Sequence, residues 1–183
     1  MSLLHAVIRC DPPLDLVLEM IEMCPHLKTA KDCIGRTPLH IAAGSSASPL
    51  LIRIFARICP AACDIQDMDG KTPLHFACDS SCELFEQDVV ANESKTSREL
   101  SYDSISALLS ASLVAATMED IDEMTPLEHA IMSGASMETI KLLQHASVTH
   151  LRGPCPDPTT PDIRRVSDVA SNTSIRQLVP SSL

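Results

Sequence analysis

The chain has 183 residues and a formal net charge of −10, from 24 acidic against 14 basic residues. That balance argues against nucleic acid or an anionic membrane as a partner, because neutralising phosphate requires clustered Lys and Arg. Apolar residues make up 45% but aromatics only 2%, so the core must be built from Leu, Ile, Ala and Cys, which suits thin stacked helices better than a large sandwich.

In chain order, the first pattern is Ser2-Leu3-Leu4-His5-Ala6-Val7, a worn copy of a motif that recurs from Thr37 and from Thr72. Asp11-Pro12-Pro13 precedes a helix expected over Leu14–Met23, with Leu14, Val17, Leu18 and Ile21 at helical spacing, and Cys24-Pro25 stops it. Asp32-Cys33-Ile34-Gly35 then forms a turn into Gly35-Arg36-Thr37-Pro38-Leu39-His40-Ile41-Ala42-Ala43-Gly44, and Ser2 to Thr37 is a step of 35 residues. Thr37 is a good N-cap. Pro38 loses nothing at the first helical position, where its missing N–H would be unpaired anyway. Leu39 starts the apolar stripe, and the small residues behind it let a neighbouring helix approach.

A second helix is expected from Pro49, with Leu50, Leu51, Ile54, Phe55 and Ile58 as its apolar face. Cys59-Pro60 repeats the stop, Asp67-Met68-Asp69-Gly70 repeats the turn, and Gly70-Lys71-Thr72-Pro73-Leu74-His75-Phe76-Ala77-Cys78 repeats the helix start, again at a step of 35. The next copy, Glu123-Met124-Thr125-Pro126-Leu127-Glu128-His129-Ala130, comes 53 residues after Thr72, 18 more than one period. The excess places an acidic insertion near 80–103. In this copy Glu123 replaces the turn Gly and Glu128 replaces the His. Helices are expected over Thr125–Ser133 and Met137–His145.

Self-similarity at such a period is the signature of a stacked repeat protein. The expected organisation is four units at about 2–34, 35–69, 70–122 and 123–148, making a 1–148 domain. A Pro-rich linker comes next at 149–159, then a degenerate capping half-repeat and tail at 160–183.

These residues resemble the ankyrin repeat, whose core is a turn followed by Thr-Pro-Leu-His-x-Ala and two antiparallel helices. The match is strongest at 32–78, good at 120–145, and weaker at 2–31 and 160–179. The resemblance implies an all-α repeat solenoid of helix-turn-helix units with hairpin-like turns. It also implies a non-catalytic protein–protein interaction module that grips a polypeptide with its turn tips and concave groove. Carried over by position, the partner-binding tips are Cys33, Ile34 and Arg36, then Met68, Asp69 and Lys71, then Ile121, Asp122 and Met124. The inner-helix ends facing the groove are Gly44 and Ser45, Asp79 and Ser80, Met132 and Ser133. Thr37, His40, Thr72, His75 and Thr125 take structural roles, the His hydrogen-bonding adjacent turns together.

No nucleophile elbow, Walker loop, dinucleotide fingerprint or His-Glu-x-x-His occurs, so no catalytic residue or cofactor is expected. His5, His40 and His75 recur at one position, but stacked units lie about 10 Å apart, too far to share an ion held by bonds of roughly 2 Å, and no metal is expected. With no leader and no apolar run of membrane-span length, the eight cysteines read as free thiols in a reducing setting, cytoplasmic or nuclear. The expected partner is a protein with a basic or apolar contact surface, met by a monomer. Two alternatives use the same frame: a thiol-based redox or metal sensor acting through Cys33, Cys82 or Cys155, and a regulatory arm acting through the 80–103 insertion.

Overall fold

The computed structural model describes residues 2–10, 12–45, 47–81 and 99–152. Most of the insertion, Cys82, Cys155, residues 153–159 of the expected linker and the expected cap lie outside these, whereas residues 149–152, expected to begin the linker, are helical. Among the described residues the chain forms α-helices and short 3-10 segments with no strand. In order the helices are α1 (Leu3–Arg9), α2 (Leu14–Met23), α3 (Pro38–Gly44), α4 (Pro49–Ile58), α5 (Pro73–Cys78), α6 (Tyr102–Ala111), α7 (Pro126–Met132) and α8 (Met137–Arg152).

The short helices start where the capping chemistry predicts. Thr37, Thr72 and Thr125 are extended N-cap residues, each followed by a proline at the first helical position and closed by a capping box. In α3 the box partner is unusual: the Thr37 backbone N–H donates to His40 Nδ1 at 3.0 Å, and the Thr37 hydroxyl lies 2.8 Å from the same nitrogen. α5 repeats this through Thr72 and His75 at 3.0 and 2.9 Å. In α7 the replacement Glu128 performs the same task, accepting from the Thr125 amide at 2.6 Å and from its hydroxyl at 2.8 Å.

α2 and α4 stop at the Cys-Pro pairs. Cys24 and Cys59 sit at φ −134° and −137°, outside the helical region, and Pro25 and Pro60 then open 3-10 segments, Pro25–Thr29 and Pro60–Asp64.

The short helices pack in succession, α1 on α3, α3 on α5, α5 on α7, while α4 packs on α6 and α6 on α8 behind them. Leu4, Leu39 and Leu74 hold equivalent places and are all fully buried; Leu127, the fourth, is partly buried against the same core. Each fully buried leucine contributes about 1.5–3 kcal/mol.

Two expectations need correction. The buried face of α4 is Leu51, Ile52, Phe55 and Ala56, whereas Leu50 and Ile58 are exposed and Ile54 is half-buried. The stripe is rotated because α4 lies between its own partner α3 and the outer helix α6 of the following pair, so two neighbours decide its face. α8 runs on to Arg152, well beyond His145. No helix breaker interrupts residues 146–152, and Gly153-Pro154 come only afterwards.

Candidate functional site

Three turns are built alike from an Asp. Oδ1 of Asp32 accepts the N–H groups of Ile34 and Arg36 at 3.0 and 2.9 Å. Oδ1 of Asp67 accepts those of Asp69 and Lys71 at 3.0 and 2.8 Å, and Oδ1 of Asp120 those of Asp122 and Met124, both at 3.0 Å. Each Asp amide also donates back to the carbonyl four residues on, at 2.9–3.0 Å. This is the side-chain-closed turn that Asp favours.

Successive turns are tied by backbone bonds: Met68 N–H donates to Ile34 O, and Ile121 N–H to Asp69 O, both at 3.0 Å. That approach is close enough to require glycine. A Cβ on Gly35 would stand 3.2 Å from the Met68 nitrogen, and one on Gly70 would stand 3.0 Å from the Ile121 nitrogen, and their φ angles are +83° and +73°. Glu123 adopts φ 60° at the corresponding place without glycine's freedom.

A second tie comes from the histidines. Nε2 of His5, His40 and His75 donates to the carbonyls of Arg36, Lys71 and Met124 at 2.8, 3.0 and 3.1 Å. Since Nδ1 accepts a backbone N–H, each ring is the neutral Nε2–H tautomer. Burial, partly opposed by the carbonyl bond, lowers the pKa of His40 and of His75 to about 4 and lowers that of His5. Each ring thus bridges its own helix start to the turn of the following unit, and Glu128 makes no such onward bond among the described residues.

The tip row is apolar at its crest. Ile34, Met68 and Ile121 are 40%, 70% and 67% exposed, with Cys33, Asp69 and Asp122 exposed beside them. At the inner-helix ends Met132 is 77% exposed. Ser45, Asp79, Ser80 and Ser133 are half-buried, and Ser133 Oγ accepts the Ser80 N–H at 2.9 Å across two units.

Other candidates are placed differently than expected. Arg36 is 6% exposed and no tip residue: its Nε and Nη2 both lie 2.9 Å from Asp32 Oδ2. An arginine four residues after an aspartate folds onto the turn that the aspartate closes. Gly44 is buried at the end of α3, and Lys71 and Met124 are half-buried, with their carbonyls receiving the histidines.

Two openings adjoin this frame. One, of about 340 Å³, lies beside the first and middle turns and is bordered by Ile34, Arg36, Asp67, Asp69, Lys71 and Phe76, with Asp79 and Ser81 beyond the end of α5. The other, about 700 Å³, lies between the outer helices α4 and α6, with Leu50, Arg53 and Arg57 facing Asp103, Ser106 and Ser110. Sequence reasoning named Asp67 only as a turn former and missed Arg53 and Arg57. The signal for the first was present: an Asp recurs three residues before each turn Gly or its Glu123 replacement.

Cys33 is exposed at a tip. Cys63 is buried, which pushes its thiol up to about 12, and Cys78 is buried too, so both behave as small core residues. Among the described residues no group of three or more His, Cys, Asp or Glu is placed to hold a metal ion, and no helix is long and apolar enough to cross a membrane.

A family model described as ankyrin repeats (3 copies) matches residues 3–91. A search of curated proteins found no match. Residues 92–152 lie beyond the matched span, and there Asp120, Thr125 and Pro126 repeat the turn and cap chemistry of the matched part.

Proposed function

We propose that this chain, whose residues 3–91 are ankyrin repeats, binds a partner polypeptide along the row of turn tips and across the ends of the inner helices. Ankyrin repeats are generally protein–protein interaction modules, and the family is typically non-catalytic.

The observation that carries the proposal is the crest of Ile34, Met68 and Ile121. Three large apolar side chains stand exposed in line on turns that are otherwise closed by aspartate, backbone and histidine bonds. Exposed apolar groups in a row on a rigid frame mark an interaction surface, and a frame ordered before binding avoids the cost of ordering loops. Met68 and Met132 add adaptable contact area. The excess of acidic residues favours a partner whose contact surface is basic or apolar. The pair α7–α8, outside the matched span, serves as a further unit of the same kind, and the chain acts as a monomer.

The test is capture by the full chain against a variant carrying Ile34→Asp, Met68→Asp and Ile121→Asp. These side chains are exposed, so helical content by circular dichroism should be unchanged while the captured partner is lost. A partner retained at full level by the triple variant would refute binding at the tips.

A further inference from the structure

The repeat register sets cations on both sides of one outer helix. Arg53 and Ser106 are 53 residues apart, one period plus the insertion, and Ser106 and Lys141 are 35 apart, one period. Arg57, Ser110 and His145 stand one helical turn further on in the same relation. Arg53 and Arg57 are exposed on α4, and Lys141 and His145 on α8. The two serines lie on α6, which packs against both of those helices. The larger opening, about 700 Å³, shows the first pairing directly, because Arg53 and Arg57 border it together with Ser106 and Ser110.

No counter-charge meets these groups. Among the described residues the side chains of Arg53, Arg57, Lys141 and His145 enter no ion pair and no hydrogen bond. Asp103 borders the same opening, and Glu138 holds the equivalent place on α8. Both stand in the first turn of their helices, where the helix dipole favours a carboxylate, and neither pairs with a cation of the patch. Ser110 Oγ donates to Ser106 O at 2.7 Å, whereas Ser106 Oγ has no partner among the described residues and is left to donate. In a chain of net charge −10 this patch of unpaired cations has the opposite sign to the whole.

We infer that the outer faces of α4, α6 and α8 form a docking surface for an acidic, extended segment of a partner polypeptide. Its carboxylates meet Arg53 and Arg57 at one end and Lys141 at the other. The Ser106 hydroxyl is a donor between them, and Leu50, Ala107 and Ala111 give an apolar floor. Packed helices stand about 8–10 Å apart, so α4 and α8 are on the order of 20 Å apart, the reach of about six extended residues. A single phosphate would touch one end of that span only, so the ligand carries several carboxylates in a row. The arginine forks take carboxylates in a two-pronged fashion, and the local sign selects an acidic segment over a basic one. This surface lies behind the inner helices and is independent of the turn tips.

The experiment is a nuclear magnetic resonance titration of the full chain with the hexapeptide acetyl-Glu-Asp-Glu-Glu-Asp-Glu-amide at about 50 mM salt. The comparators are its Gln/Asn counterpart and acetyl-Gly-phosphoserine-Gly-amide. The expected result is saturable shifts confined to amides of α4, α6 and α8, with a Kd on the order of 0.1 mM that rises several-fold at about 300 mM salt. The acidic chain repels such a peptide elsewhere, so general charge attraction cannot supply this result. Arg53→Gln with Arg57→Gln changes exposed side chains only, so the circular dichroism should be unchanged while binding weakens about tenfold. Lys141→Gln should weaken it about threefold, as a ligand spanning three helices requires. No saturable shifts, an equal response to the Gln/Asn peptide, or an affinity unchanged in the double arginine variant would each overturn the proposal. Equal affinity for the phosphoserine peptide, or indifference to Lys141→Gln, would overturn the extended acidic ligand. The variant carrying Ile34→Asp, Met68→Asp and Ile121→Asp should keep the hexapeptide within about twofold. Loss there would put the peptide at the tips and overturn the outer surface, whereas retention with loss of captured partner leaves both surfaces standing.

Discussion

Lowering the pH from about 7.5 to about 5 should destabilise the stack through its interlocking histidines, by an amount set by their burial. His40 and His75 have folded pKa values near 4 against an unfolded value of 6.5. Between those values the unfolded chain binds more protons than the folded one. Their contribution is therefore complete above about pH 6.5 and is lost as the pH falls toward 4. At pH 5 the linkage amounts to about 2 kcal/mol per histidine, hence about 4 kcal/mol for the pair. His5 is shifted in the same direction and adds to the loss. The carboxylates with lowered pKa values, Asp32, Asp79 and Asp120, weaken the fold only at still lower pH, because their unfolded forms titrate near 4. With a urea slope of about 2 kcal/mol per molar, the unfolding midpoint followed by far-UV circular dichroism should drop by about 2 M. His75→Gln should be less stable at neutral pH yet lose about 2 kcal/mol less on acidification. Equal midpoints at the two pH values, or the same pH dependence in His75→Gln, would refute the neutral-tautomer bridge.

The turns and the thiols can be checked as directly. Gly70→Ala should cost roughly 2 kcal/mol or more, from left-handed strain plus the 3.0 Å approach to the next turn. Glu123→Gly should instead stabilise by about 1 kcal/mol, since Glu123 holds φ 60° with an exposed side chain; chemical denaturation of both variants reads the opposite signs. Brief alkylation of the native protein and then peptide mass spectrometry should label Cys10 and Cys33 and spare Cys63 and Cys78, which react only after unfolding.

Much of the frame is written locally. A Thr-Pro start and a Cys-Pro stop act within one turn of helix through capping, a fixed φ and a missing N–H, so the starts of α3 and α5 and the ends of α2 and α4 are set by adjacent residues. The 35-residue period makes those units equivalent, and equivalence alone points to stacking. Ile34, Met68 and Ile121 were legible as tips because a tight turn exposes its central side chains whatever lies elsewhere.

What tertiary structure decided is everything that depends on a neighbour 31 or more residues away. His40 looks the same in sequence whether it binds a metal, caps a helix or reaches across a gap; the Lys71 carbonyl 3.0 Å from its Nε2 chooses the last. The buried face of α4 is set by two packing partners at once, which a single periodic stripe cannot express.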